Sequence, residues 1–349
     1  MKFKSPLGVT PAGFLFMSST PLKGITVVDF SRLVPGPFCT RILQDWGATV
    51  ISAEDQNRPD DLKKISPLLF HALNRSKKVL SFDLKSESGM KQFKQLIKKA
   101  DVFLESSRPG VLTKRGLGFA QLKQLNKKLM YVSLTGFGQK GPNSSKAGHD
   151  INFMALAGVL NSQIMPSIQW ADLAGGGLWA ASSILAALQN SKRKALHLDI
   201  SMTDTLQYFN WVHLMMAQTG KVFDTFSGVL ARYRLYRTSD GRQMALGALE
   251  PKFWNRFCDL WGKPSWKDLN GSYPDTELPI HREVEMLFAS ASFAEWRRRA
   301  EGEDICLSPV LNSEEVLASS QLESGAFFKP VSFQGKKWLF PHVPLKVRA

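Results

Sequence analysis

Ile25-Thr26-Val27-Val28-Asp29-Phe30 runs directly into Ser31-Arg32-Leu33-Val34-Pro35-Gly36-Pro37. A short, nearly continuous apolar run reads as a buried strand, the proline- and glycine-bearing stretch as a loop, and the segment reaching about Trp46 as a helix. The same alternation repeats downstream. Thr49–Ala53, Val79–Asp83, Val102–Glu105, Leu129–Ser133 and Ala195–Ile200 are strand-like, and Ser86–Lys99 has the spacing of an amphipathic helix. Apolar strands separated by helices predict an α/β fold: a Rossmann-like parallel sheet covered on both faces. Ligands of such sheets lie beyond the carboxyl ends of the strands. The first loop lacks Gly-x-Gly-x-x-Gly, so a nicotinamide or flavin site is not indicated.

The pattern changes after residue 200. A Trp- and Met-rich helix is predicted to end near Gly220, its apolar side chains fitting either a core or a subunit interface. Arg234–Thr238 and Gln243–Gly247 flank the turn Ser239-Asp240-Gly241 as a hairpin, and helices follow over Lys252–Trp261, His281–Ser290 and Phe293–Ala300. The reading divides the chain into a flexible extension (1–20), a large α/β domain (21–200), a linker helix and loop (201–232), a small α+β domain (233–308) and a C-terminal return to the large domain (309–349). One further helix is expected after Asn312, then a Pro- and Lys-containing tail.

A chain of 349 residues with 44% hydrophobic content suffices for a sizeable core. No apolar run reads as long enough to span a bilayer, so no membrane partner is expected. Cys39, Cys258 and Cys306 are far apart and lack metal-ligand spacing, which points to a reduced, cytoplasmic setting without disulfides. Lys and Arg outnumber Asp and Glu by 45 to 30, giving a net charge of +15. The bases, as in Lys98-Lys99, Lys127-Lys128 and Lys192-Arg193-Lys194, are scattered and accompany no nucleic-acid motif. A small phosphorylated ligand fits this charge without nucleic acid.

Two polar residues stand at helix starts. His149, in Gly148-His149-Asp150-Ile151-Asn152-Phe153, precedes an apolar stripe of Phe153, Met154, Leu156, Ala157 and Leu160. Asp172, in Ala171-Asp172-Leu173-Ala174-Gly175-Gly176-Gly177, precedes Leu178, Trp179, Ile184, Leu185 and Leu188 and has the look of an N-cap. Brought together, a histidine and a carboxylate are a proton-transfer pair; apart, they are a loop residue and a cap.

Leu22-x-Gly-Ile-x-Val-x-Asp-x-Ser-Arg with Pro35-Gly36-Pro37-Phe38-Cys39-Thr40 opens an ordered set of motifs. Leu73-Asn74-Arg75, Asp83-Leu84-Lys85-Ser86, Arg108-Pro109-Gly110-Val111-Leu112, Gly116-Leu117-Gly118, Thr135-Gly136-Phe137-Gly138-Gln139 and Gly141-Pro142 follow. From Pro21 to about Phe328 the chain resembles the family III CoA-transferases, the CaiB/BaiF group, and within it the α-methylacyl-CoA racemases. His149 stands where the transferases generally carry tyrosine, and Gly247-Ala248-Leu249-Glu250-Pro251-Lys252-Phe253 resembles the racemase segment whose glutamate pairs with the histidine.

The resemblance implies an acyl-CoA α-epimerase that needs no metal or redox cofactor, coenzyme A being part of its substrate, and an interlocked homodimer. His149, Asp172 and Glu250 would be catalytic, with Asp150 holding the loop and Gly175 and Gly176 leaving backbone N–H groups open to an enolate oxygen. Arg58, Asp83, Leu84, Lys85, Arg108, Arg115 and Gly148 would contact CoA. The chain departs from the family at Ser106-Ser107, where an aromatic usually precedes Arg-Pro-Gly, at Phe153, and at Ser227-Gly228-Val229-Leu230. A CoA-transferase using Asp172 as nucleophile is the alternative, and an inactive basic binding protein on the same fold a second.

Overall fold

The structure, a computed structural model, describes residues 20–160, 166–190, 194–220, 226, 228–269, 279–319 and 327–343. The extension before Met17, the bases Lys192 and Arg193, and Ser227 lie outside the described residues.

Six strands, β1 (Thr26–Phe30), β2 (Thr49–Asp55), β3 (Lys78–Phe82), β4 (Val102–Glu105), β5 (Met130–Thr135) and β6 (Leu196–Ser201), form one sheet ordered β3-β2-β1-β4-β5-β6. Every neighbouring pair is parallel, as the alternation of apolar strands and helices predicts. Successive residues supply opposite faces: Val27, Val102 and Met130 join one core cluster, Val28, Phe103 and Tyr131 another. The first is covered by the helix Pro35–Asp45, through Cys39, Ile42 and Leu43, and the second by Glu87–Lys98, through Phe93 and Ile97. Strand order reverses between β1 and β4, so their following loops diverge and open a crevice.

Polar side chains pin the layers of this first unit. Lys77 Nζ, fully buried, lies 3.1 Å from Asp29 Oδ2 and 2.8 Å from Thr40 Oγ1, which fixes the start of Pro35–Asp45 against β1. Ser86 caps Glu87–Lys98 by accepting the Gly89 N–H at 3.0 Å.

The chain divides after Trp211 and again after Ser324, the segment between forming a second unit. The sequence reading ends the large domain at residue 200, runs a linker over 201–232 and returns to the large domain after 308, so the first division falls within the linker and the second later than expected. Both placements have local causes. The predicted Trp- and Met-rich helix is two helices, Met202–Phe209 and Trp211–Ala217. Asn210 stands at the break with its amide donating to Ala157 and Gly158 carbonyls at 3.2 and 3.1 Å, while Met202 and Leu206 enter the first unit's core. Beyond residue 308, Arg242 grips Glu315 at 2.7 Å and keeps Ser313–Leu317 with the second unit.

That second unit has the antiparallel hairpin Tyr233–Arg237 and Gln243–Gly247, with Leu307–Pro309 added to its edge. Helices Pro251–Leu260, Pro279–Ala289 and Phe293–Ala300 enclose an aromatic core of Tyr236, Trp254, Phe257, Phe288 and Trp296.

Three expectations are corrected. Ala171–Leu188 is a helical stretch long and apolar enough to cross a bilayer; Ala171, Gly175, Gly176, Gly177, Ala180, Ala181 and Ile184 are its buried residues. Leu156, read as part of the apolar stripe after His149, is exposed, whereas Phe153, Met154 and Ala157 are buried. The Pro- and Lys-containing tail holds a β-hairpin, Phe328–Phe333 with Lys336–Pro341. Its turn is Gln334-Gly335, both at positive φ, and it is tied to the first unit by Arg75 Nη2 on the Pro341 carbonyl and by Val343 N on Asp45 Oδ2 at 3.1 Å.

Candidate active site

A cleft of about 870 Å³ opens at the carboxyl end of the sheet, at the β1/β4 switch point, and every residue lining it belongs to the first unit. One wall is the loop after β1, where Leu33 takes positive φ and donates its N–H to Asp60 Oδ2 at 3.0 Å. Facing it is the loop Ser106-Ser107-Arg108 after β4. The Arg32 N–H donates to Ser106 Oγ at 3.2 Å, bridging the switch point.

His149 lies at the N-cap of the helix Asp150–Leu156, its backbone N–H donating to Asn152 Oδ1 at 3.0 Å. Its exposed side chain belongs to the cleft lining. Gly148 and Gly136 have a steric reason to be glycine: added Cβ atoms would sit 2.6 and 2.2 Å from the Phe153 ring. The ring therefore clamps both backbones and fixes where His149 leaves the loop.

Asp172 lines the same cleft. It is not an N-cap. The residues Ala171–Leu178 form a π-helix whose N-cap is Trp170, continuing into Trp179–Leu188, and such widened turns recur at functional positions. Asp150 Oδ1 accepts the Asp172 N–H at 2.8 Å. Burial pushes the Asp172 carboxyl up to about 6, the charge of Asp150 adding to the rise and His149 opposing it. Burial also raises Asp150, against backbone N–H bonds from Asp172 and Ala171.

The glycines after Asp172 serve packing. Gly175 and Gly176 are buried, and Cβ atoms there would approach the Met202 carbonyl at 3.2 Å and Met202 Sδ at 3.0 Å. They allow helices to touch.

Arg58, Arg108 and Arg115 line the cleft with Arg32 and Lys146. Arg115 is held by the buried Asp55 at 2.9 Å. Neither Arg58 nor Arg108 has an ion pair among the described residues, so both are available to an anion. Asp83, Leu84 and Lys85 are outside the lining. Leu84 is core, and Asp83 accepts from Asn57 Nδ2 at 2.9 Å and Lys85 N at 3.1 Å, closing the turn after β3. Glu250 is in the second unit, exposed at the N-cap of Pro251–Leu260 without a capping bond. Among the described residues no group of three His, Cys, Asp or Glu side chains is disposed to hold a metal.

Residues missed in the sequence also converge here. Glu105 and Ser133 share a lateral row across β4 and β5, and Glu105 bonds the cleft loop. The available signal was an acid closing an otherwise apolar strand.

A doubly wound parallel sheet with His149, Asp172, Arg58 and Arg108 lining one cleft at its switch point is an arrangement typical of α/β enzymes. Residues 22–349 match CoA-transferase family III, and the chain belongs to that family. It is 37% identical to human alpha-methylacyl-CoA racemase over 312 residues, covering 85% of this chain and 79% of that protein. A CaiB/BaiF CoA-transferase family protein of Caenorhabditis elegans is 34% identical, with 89% and 92% covered, and human succinyl-CoA:glutarate CoA-transferase 28%, with 86% and 74%. Among solved structures, Rv3272 of Mycobacterium tuberculosis superposes with a TM-score of 0.80 at 27% identity, covering 93% of this chain and 92% of that one.

Proposed function

We propose that this chain is an acyl-CoA α-epimerase of the α-methylacyl-CoA racemase type. The observation that carries the reading is that His149 and Asp172 line one cleft, with the Asp172 carboxyl raised to about 6. An acid near neutrality exchanges a proton in either direction, which a reversible inversion requires. His149 takes the α-proton from one face of the carbon beside the thioester, and Asp172, in its protonated form, returns one to the other. In the reverse direction their roles exchange. Arg58 and Arg108 receive the phosphates of the CoA handle, guanidinium being suited to paired contacts with phosphate oxygens.

Several further points belong to the proposal. The thioester itself acidifies the α-carbon, so no cofactor is required. Glu250 is a third residue needed for turnover, as the resemblance to the racemases implies. The chain works as an interlocked homodimer, for which exposed Tyr208, Phe209, Trp211 and Met215 supply apolar surface. A reducing cytoplasmic setting agrees with three free cysteines.

The test is incubation with a 2-methylacyl-CoA in deuterated water. Deuterium should enter the α-position without a second substrate, and no exchange across a panel of chain lengths would overturn the reading. The second reading, CoA transfer through an acyl-aspartate at Asp172, is favoured by the same half-buried carboxylate and by the transferases among the relatives. It predicts ping-pong kinetics and a hydroxylamine-sensitive adduct on Asp172.

A further inference from the structure

We propose that Glu105 is a positioning residue of the cleft: its ionised carboxylate holds the Ser106–Arg108 loop in the form that binds the phosphate end of CoA, and Ser133 and His197 link it to solvent. The identity of the ligand rests on the CoA reading above; the hold on the loop does not.

Glu105 closes β4 and is 3% exposed. Its Oε2 accepts the Ser107 N–H at 2.6 Å, and its Oε1 accepts the Ser133 hydroxyl at 2.7 Å. With its proton given to Glu105, Ser133 Oγ receives from His197 Nε2 at 2.9 Å, which sets the ring with a proton on that nitrogen. His197 is exposed, between the rings of Phe119 and Tyr131 at 5.4 and 5.0 Å. A hydrogen-bonded chain therefore runs from solvent to a buried acid directly beneath the cleft loop.

Only the ionised form of Glu105 satisfies both donors. A carboxylate accepts at both oxygens, whereas a protonated acid turns one of them into a donor. Burial pushes the group up to about 6, with the charge of Asp199 adding and the bonds from Ser133 and Ser107 opposing. The charged and titratable groups facing it are Asp199 and His197 on β6 and Tyr131 on β5; its register partner on β1 is the apolar Phe30. On its own loop Arg108 is exposed in the cleft. Protonation releases either Ser107 or Ser133. Because Ser106 also anchors Arg32, slack at Ser107 loosens both cations at the switch point.

The test compares the full-length chain with Glu105→Gln and Ser133→Ala, using free CoA as the probe. Wild type should bind CoA about fivefold or more tightly than Glu105→Gln at pH 7.5, the scale of one charge-assisted hydrogen bond, and the two should converge at pH 5.5. A ratio that stays the same at both pH values overturns the proposal, because general structural damage has no reason to vanish on acidification. In parallel, the Ser107 amide proton is followed by NMR without ligand. In wild type it should titrate with a midpoint near pH 6, and in Ser133→Ala that midpoint should rise, since the ionised form loses a donor. An amide that ignores pH removes the hold on the loop. If the amide titrates and wild type binds no CoA at any pH, the ligand reading fails, and with it the ligand half of this proposal.

Discussion

Asp172 donates its backbone N–H to Asp150 Oδ1 at 2.8 Å, joining the start of the π-helix to the start of the helix that carries His149. One carboxylate thus fixes the other in space and, by like charge, raises its pKa. The two effects separate on substitution. Asp150→Asn keeps an oxygen for the N–H and removes the charge. The Asp172 pKa should then fall from about 6 toward the ordinary carboxylate range, shifting to lower pH whichever limb of the pH-rate profile for α-proton exchange Asp172 sets. An unmoved profile would mean that burial alone sets the Asp172 pKa.

The raised Asp172 carboxyl also carries a stability cost. A folded-state pKa above the unfolded value means that the native chain binds the extra proton, so stability falls as pH rises from about 4 through about 6. Asp172→Asn removes that cost. The variant should be inactive yet more stable at pH 7.5 by about 1 to 2 kcal/mol, allowing for partial exposure to solvent, with the gain shrinking to nothing near pH 4. Urea denaturation at the two pH values reads it. Equal stability at pH 7.5 would refute the burial argument.

Lys77 and Asp29 test the opposite case, a buried charge that is paired. Asp29 takes hydrogen bonds from Lys77, Thr40 and Ser31. Lys77→Met leaves the carboxylate buried without its counter-charge, which typically costs about 3 to 5 kcal/mol. The measurement is the denaturation midpoint at constant slope, and a loss below about 1 kcal/mol would show that the hydroxyls suffice.

Gly177 separates packing from helix propensity. Alanine there gains about 1 kcal/mol as the better helix former, but its Cβ would lie 2.6 Å from Phe38 Cδ1 and 2.9 Å from the Pro35 carbonyl oxygen. Phe38 has room to turn; the backbone of Pro35–Asp45 does not. Overpacking of this kind costs about 1 to 3 kcal/mol, so Gly177→Ala should be destabilising overall, by about 1 kcal/mol in chemical denaturation. A more stable variant would mean that the two helices separate without penalty.

The large features were legible because they repeat. Val27-Val28, Val102-Phe103 and Met130-Tyr131 are apolar on both faces, and that requires a sheet covered on both sides. What escaped depends on contacts absent from local pattern. Asp172 before small residues reads as a cap by every local criterion, yet the chain is already helical at Trp170. Gly175 and Gly176 look like an opening for a ligand until Met202 occupies the space. Asp83-Leu84-Lys85 was carried over by motif, and its Leu84 is core. Glu105, Ser133 and His197 come from three strands that meet only once the register is set. The C-terminal hairpin was hidden by Gln334 in a turn where Asn is the usual signal.

Glu250 is the residue on which the choice between epimerase and transferase turns. It is exposed at a helix N-cap, yet its side chain makes no capping bond. Conventional capping therefore leaves its presence before Pro251 unexplained. If Glu250 is catalytic, as the resemblance to the racemases implies, its charge matters to proton transfer. Glu250→Gln preserves shape and removes the charge. Turnover in α-proton exchange should fall about ten- to a thousandfold, or roughly 1.4 to 4 kcal/mol of transition-state stabilisation. Affinity for free CoA should stay close to wild type, because Arg58 and Arg108 lie in the first unit. Unchanged turnover would leave Glu250 a surface carboxylate, and the transferase chemistry of Asp172 would then become the better account of the cleft.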